Sequence, residues 1–106
     1  MSLLARYRVK FFLPFFVLII CSNSALAGDK TAGKEKSMLC MGCHGAEGIS
    51  VSPEIPNLAG QKPVYLVNTI KDFRAEVRKN PIMNSMVKDL SDADIDNLAA
   101  YYSSLK

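Results

Sequence analysis

Two cysteines and the only histidine of the chain fall within five residues, Cys40-Met41-Gly42-Cys43-His44. Cysteines three apart share one face of a helix, where each thiol can add to one vinyl group of a porphyrin. The adjacent imidazole can then reach the iron from the same side, and C-x-x-C-H is the attachment sequence of c-type haem. Three rival chemistries use the same residue types. A Cys40–Cys43 disulfide of the thioredoxin kind belongs on a βαβ framework, and no strand-rich alternation runs anywhere in this sequence. A zinc site needs further ligands, and no other Cys or His lies beyond residue 27. An unliganded motif would leave a very small core without a staple. The pattern therefore implies one covalently attached haem c, with Cys40 and Cys43 as thioether residues and His44 on the iron.

With His44 taken, a second histidine ligand within the chain is excluded. The sixth position is Met, another donor, or empty, and Met/His ligation raises the haem potential because a thioether favours ferrous iron. Met38 lies just before Cys40 and Met41 within Cys40–His44, and both are too close to reach the distal face. Met83 and Met86 lie about forty residues on, far enough for the chain to wrap round a porphyrin. Whichever of the two does not bind iron fills a gap in the core.

The elements that must position these residues read as helices. Residues 30–43 are rich in helix formers and predict a first helix, in which Gly33 marks a close approach by another helix. Gly45 and Gly48 end the motif and open a loop that Pro53 and Pro56 keep out of the helical region. Pro63 suits the first turn of a second helix, and Leu66, Ile70, Phe73 and Val77 form its apolar stripe. Asn80-Pro81 breaks that pattern and begins a methionine loop. Ser91-Asp-Ala-Asp94 is a capping-box start with acidic residues suited to the helix dipole. Ile95, Leu98, Ala99, Tyr102 and Leu105 give the last helix its apolar face. The result is three main helices, with no strand and no repeat.

The N-terminus explains the composition. Arg6, Arg8 and Lys10 precede an apolar run, Phe11 to Ile20, and Ala25-Leu26-Ala27 follows, the three-part order of a secretory signal with an A-x-A cleavage site. A membrane anchor needs roughly 20 apolar residues, about twice this run, which also holds Pro14. A lipoprotein site at Cys21 is disfavoured by bulky Ile20. Residues 1–27 are thus expected to be cleaved, leaving one domain over 28–106.

That domain has 79 residues, too few to bury much apolar surface without a disulfide, a metal or another staple. The whole chain carries a formal charge of +3, but residues 28–106 balance ten basic against ten acidic side chains. A strongly basic nucleic-acid-binding class is therefore excluded, as the length excludes a large multi-substrate enzyme. The balance is uneven: −1 over residues 28–61, +4 over 62–88 and −3 over 89–106. Such segments are either ordinary solvated helix faces or a basic rim that steers an acidic partner.

The chain resembles the class I cytochromes c, within them the bacterial small cytochromes c-553 and the single halves of dihaem cytochromes c4. The resemblance covers nearly all of residues 28–106. It rests on Cys40-Met-Gly-Cys-His44-Gly45, Ile55-Pro56-Asn-Leu58-Ala-Gly60-Gln61, Tyr65-Leu66 and Phe73-Arg74. It continues through Arg78-Lys-Asn80-Pro81, Met83, and Leu90-Ser-Asp-Ala-Asp-Ile95-Asp-Asn-Leu98-Ala-Ala-Tyr101-Tyr102. It implies an all-α class I cytochrome c fold, three main helices wrapped around one covalently bound haem c. In this family the axial methionine stands seven residues before the Leu that opens the last helix, here Leu90. That points to Met83, with Met86 packing nearby.

The resemblance also makes the Pro56 carbonyl the acceptor of the His44 ring N–H, a bond that fixes the ring and raises its donor strength. Gly33 is expected to meet Tyr101 or Tyr102. A single motif means a monohaem protein. The implied function is a periplasmic one-electron carrier, not an enzyme, and a monomer whose partners are redox proteins, with no nucleic acid. Two other roles stay open: a ligand sensor, if the sixth position is vacant, and a dedicated subunit of one enzyme complex.

Overall fold

The computed structural model describes residues 10–17, 19 and 28–106 of the chain. The expected signal over 1–27, with its cleavage site and Cys21, therefore lies largely outside the described residues. Among the described residues there is no strand, and no helix is long and apolar enough to cross a membrane.

Five helices follow one another: α1 (Lys30–Lys36), α2 (Met41–His44), α3 (Pro63–Arg74), α4 (Pro81–Val87) and α5 (Asp92–Ser104), with a 3₁₀ turn at Ser37–Leu39 between the first two. Asp29 caps α1, its carboxylate accepting from the amides of Thr31 and Ala32. The single first helix expected over 30–43 is thus broken. The buried Ser37 hydroxyl donates to the Lys34 carbonyl at 2.6 Å, and a side chain that takes up a helix carbonyl competes with continuation of the helix. The 3₁₀ turn follows, and the Cys40 carbonyl then accepts from the His44 amide at 2.9 Å to start α2.

α3 also ends earlier than its apolar stripe suggests. Ala75 closes it, Glu76 takes a left-handed backbone (φ 58°), and the chain turns away. The Glu76 amide donates to the Phe73 carbonyl at 3.2 Å and the Val77 amide to the Asp72 carbonyl at 2.9 Å. This pair of bonds is the Schellman ending, in which glycine normally occupies the left-handed position. Val77 consequently falls outside the helix and is 75% exposed, while Leu66 and Phe73 are buried.

The segment expected to be a methionine loop is the two-turn helix α4. Asn80 caps it, its side-chain oxygen accepting from the amides of Ile82 and Met83, and Pro81 takes the first helical position. This is the N-cap and N1 pairing that favours a helix start. α5 begins at Ser91 with the expected capping box: the Ser91 hydroxyl accepts from the Asp94 amide and the Asp94 carboxylate from the Ser91 amide.

The core is built on α5. Ile95, Leu98, Ala99, Tyr101 and Tyr102 are buried with Leu66 and Phe73 of α3, Val87 of α4 and Leu90. α1 crosses α5 at Gly33, where a Cβ would overlap the Asn97 carbonyl and stand 2.8 Å from the Tyr101 Cβ. Of the two tyrosines expected opposite Gly33, Tyr101 is the one in contact. Leu105 is half-buried and closes α5 as its C-cap.

Candidate functional site

α2 carries Cys40 at its N-cap and Cys43 and His44 in its single turn. Gly45 ends it with a φ of 89°, a backbone that side chains rarely adopt, and a Cβ there would overlap the Ile49 carbonyl. The chain then doubles back: the amides of Leu58 and Ala59 donate to the Gly48 carbonyl at 2.8 and 3.0 Å, and that of Gly60 to the Tyr102 carbonyl of α5 at 2.9 Å. Asn57 steadies the loop by accepting from the Ser50 amide at 2.8 Å. These ties bring the Pro56 carbonyl to 2.8 Å from Nδ1 of His44. A carbonyl only accepts, so Nδ1 carries the proton and the Nε2 lone pair is free for another atom. His44 is buried.

Cys40, Cys43 and His44 open onto a cavity of about 310 Å³, and Met83 and Met86 from α4 line it too. Met38 and Met41 do not, and Met38 is 76% exposed. Most of the remaining wall is apolar, with Leu58, Leu66, Ile70, Phe73, Val87, Leu90 and Leu98 among it. Met83 is half-buried and packs against the core, whereas Met86 is exposed at the rim.

Both thiols are free rather than joined in a disulfide. Burial pushes the Cys40 thiol above its ordinary pKa. Tyr102 forms another part of the wall; its hydroxyl is buried with no hydrogen-bond partner, and burial raises its pKa as well. Two reduced thiols, an imidazole with a free nitrogen, a thioether and an apolar enclosure make up a donor set suited to a haem, and none to a hard oxygen-seeking cation.

The polar rim was not legible in advance. Arg78 lines the cavity with its guanidinium 4.8 Å from the centre of the Phe73 ring. It lies in hydrogen-bonding reach of the Tyr65 hydroxyl and holds that phenol below its ordinary pKa. Nothing in the spacing of Tyr65 and Arg78 announces the contact, which exists because the Schellman turn folds residues 76–78 back over α3.

Comparisons with known proteins agree with this geometry. The Cytochrome c family model matches residues 30–106. Cytochrome c-554(548) of Halomonas halodenitrificans is 46% identical over 81 residues, covering 74% of this chain and 98% of that protein. Cytochrome c4 of Pseudomonas aeruginosa is 41% identical over 80 residues, 76% of this chain but only 40% of its own length. The crystal structure of reduced recombinant cytochrome c4 from Pseudomonas stutzeri superposes with a TM-score of 0.72 at 40% identity, covering 76% of this chain and 47% of that one. The chain thus spans less than half the length of these cytochrome c4 relatives and nearly all of the c-554(548). With its class I fold and its C-x-x-C-H cavity, the chain belongs to the cytochrome c family, as an electron carrier with covalently bound haem c.

Proposed function

We propose that the protein is a periplasmic one-electron carrier in which Cys40 and Cys43 hold the haem through thioethers and His44 and Met83 are the axial iron ligands. Residues 1–27 are its cleaved export signal and 28–106 its working domain. The carrying observation is that one largely apolar cavity brings the two thiols and the imidazole of the α2 turn together with the half-buried Met83 of α4, about forty residues on.

The haem supplies a one-electron Fe(III)/Fe(II) couple. The residues around it do the rest. The Pro56 carbonyl orients His44 and, by accepting its Nδ1 proton at 2.8 Å, makes Nε2 a stronger donor. Leu66, Phe73, Val87 and Leu98 exclude water, which favours the less charged form of a buried redox centre. Leu39, Tyr65, Ile82 and Met86 line the cavity and are also exposed, an apolar mouth where a redox partner can approach.

Lys62, Lys71, Arg74, Arg78, Lys79 and Lys88 make residues 62–88 the basic segment of the chain. They support docking of an acidic partner in weak, fast encounters that salt screens. In this reading the monomer makes and breaks no bond in a substrate.

The test is absorption spectroscopy of the purified holoprotein, oxidised and reduced, with and without carbon monoxide. The expected result is a low-spin haem with a sulfur-to-iron band that disappears in Met83→Ala and persists in Met86→Ala, and no gas binding in the wild type. A high-spin wild type that binds carbon monoxide readily would remove Met83 from the iron and turn the reading toward ligand sensing.

A further inference from the structure

α4 is only seven residues long, and an isolated helix of two turns does not hold its shape in water. Yet it carries Met83. Its neighbour Asn84 supplies the missing restraint. The Asn84 amide nitrogen donates to the Phe73 carbonyl at 2.7 Å and to the Arg78 carbonyl at 2.9 Å, and the side-chain oxygen accepts from the Asn80 amide at 2.9 Å.

These three partners belong to the last turn of α3, the turn that follows it and the cap of α4. Asparagine has two side-chain donors, and here both are used. The backbone closes the same circuit: the Asn84 amide donates to the Asn80 carbonyl at 2.8 Å, and the Asn80 side chain accepts from the Met83 amide at 3.0 Å. Asparagine is a poor residue for a helix interior, so its presence at this position serves the bonds that leave the helix.

We propose that Asn84 is a positioning residue that clasps α4 to the end of α3 and so holds the Met83 thioether in the cavity. This rests on the reading of Met83 as an iron ligand. A thioether is a weak neutral donor, and its hold on the iron depends on how little the backbone beneath it moves. With the clasp removed, α4 keeps its cap but loses its side-chain bonds to Phe73 of α3 and to Arg78 in the turn after it. Departure of the sulfur then no longer has to break them. The state with Met83 off the iron then becomes more populated, and a small added ligand binds more tightly in proportion.

The experiment uses holoprotein: wild type, Asn84→Ala, and Ser85→Ala as an exposed neighbour without this role. Imidazole binding to the oxidised form is titrated through loss of the sulfur-to-iron band, and helix content is followed by far-UV circular dichroism during heating. Asn84→Ala should bind imidazole roughly 10- to 100-fold more tightly, the range given by loss of two ordinary hydrogen bonds. Its band should fade at temperatures where its helices persist, while Ser85→Ala matches the wild type. Unchanged imidazole affinity in Asn84→Ala, with band and helix lost together, overturns the clasp and leaves the ligand reading standing. A wild type without the band, unaffected by Met83→Ala, overturns the ligand reading itself.

Should Asn84→Ala fail to fold, amide exchange in the wild-type holoprotein decides. The Asn84 side-chain protons and the Asn80 amide should exchange slowly and at matching rates. Rapid exchange at Asn84 overturns the proposal.

Discussion

Gly33 and Tyr101 meet with no room between them: a Cβ on Gly33 would stand 2.8 Å from the Tyr101 Cβ and overlap the neighbouring Asn97 carbonyl. The backbone atoms involved belong to the middle of α5 and cannot step aside without disturbing Leu98 and Tyr102 of the core. Gly33→Ala should therefore lower stability by roughly 3 kcal/mol, the upper range for forcing one methyl into a packed contact. Alanine is the better helix former, so a gain in stability would show that the helices separate cheaply. Denaturant titration of the holoprotein measures the difference.

Arg74 joins the end of α3 to the start of α5, donating to the Leu90 carbonyl at 2.9 Å and to the Asp92 carboxylate at 2.6 Å. The first bond satisfies the carbonyl of a buried residue; the second is an ion pair in which Asp92 is 70% exposed. Arg74→Ala should cost about 1–3 kcal/mol, the penalty of an unsatisfied inner acceptor. Asp92→Asn should leave stability close to wild type, because exposed ion pairs contribute little. Equal losses in the two variants would reverse this ranking.

Glu76 holds a left-handed backbone at the end of α3 without the freedom of glycine. Relief of that strain is partly offset by the greater unfolded-state entropy of glycine. Glu76→Gly should raise the denaturation midpoint by the equivalent of about 0.5–1 kcal/mol. Glu76→Val, branched at Cβ, should lower it.

The α5 cap sets a pH dependence. The Ser91 amide, bonded to the Asp94 carboxylate, holds that carboxyl below its ordinary pKa, and Lys36 at 3.5 Å adds to the effect. A depressed folded-state value means that the stabilisation is complete above the unfolded value of about 4 and is lost as pH falls through the lower folded value. Stability measured from pH 7 downward should hold until about pH 4 and then fall. Asp94→Asn, which keeps an acceptor but no charge, should start lower and show a shallower acid limb.

Features carried by neighbouring residues were the most legible. Ser91 and Asp94 form their cap within one turn, and Cys40, Cys43 and His44 come together by spacing alone. Gly33 announced a close helix crossing because nothing local excused a glycine there. Features settled at a distance were not legible. The Ser37 hydroxyl could bond outward or back to Lys34, and the backward bond broke the first helix. Glu76 offers no glycine signal, so α3 was expected to reach Val77. Asn80-Pro81 was read as a helix breaker, although the same pair starts a helix when Asn caps it. Asn84 gave no signal at all, since its partners lie on two other stretches of chain.

The pairing of α1 with α5 also sets an order of events. A chain is made from its N-terminus, so Cys40, Cys43 and His44 exist well before Leu98 and Tyr102, which form part of the cavity wall. Until α5 arrives, Gly33 has nothing to pack against, and the cavity onto which the two thiols open lacks its Leu98 and Tyr102 wall. The wall of the cavity that Cys40 and Cys43 line thus takes its finished form only when the last helix docks.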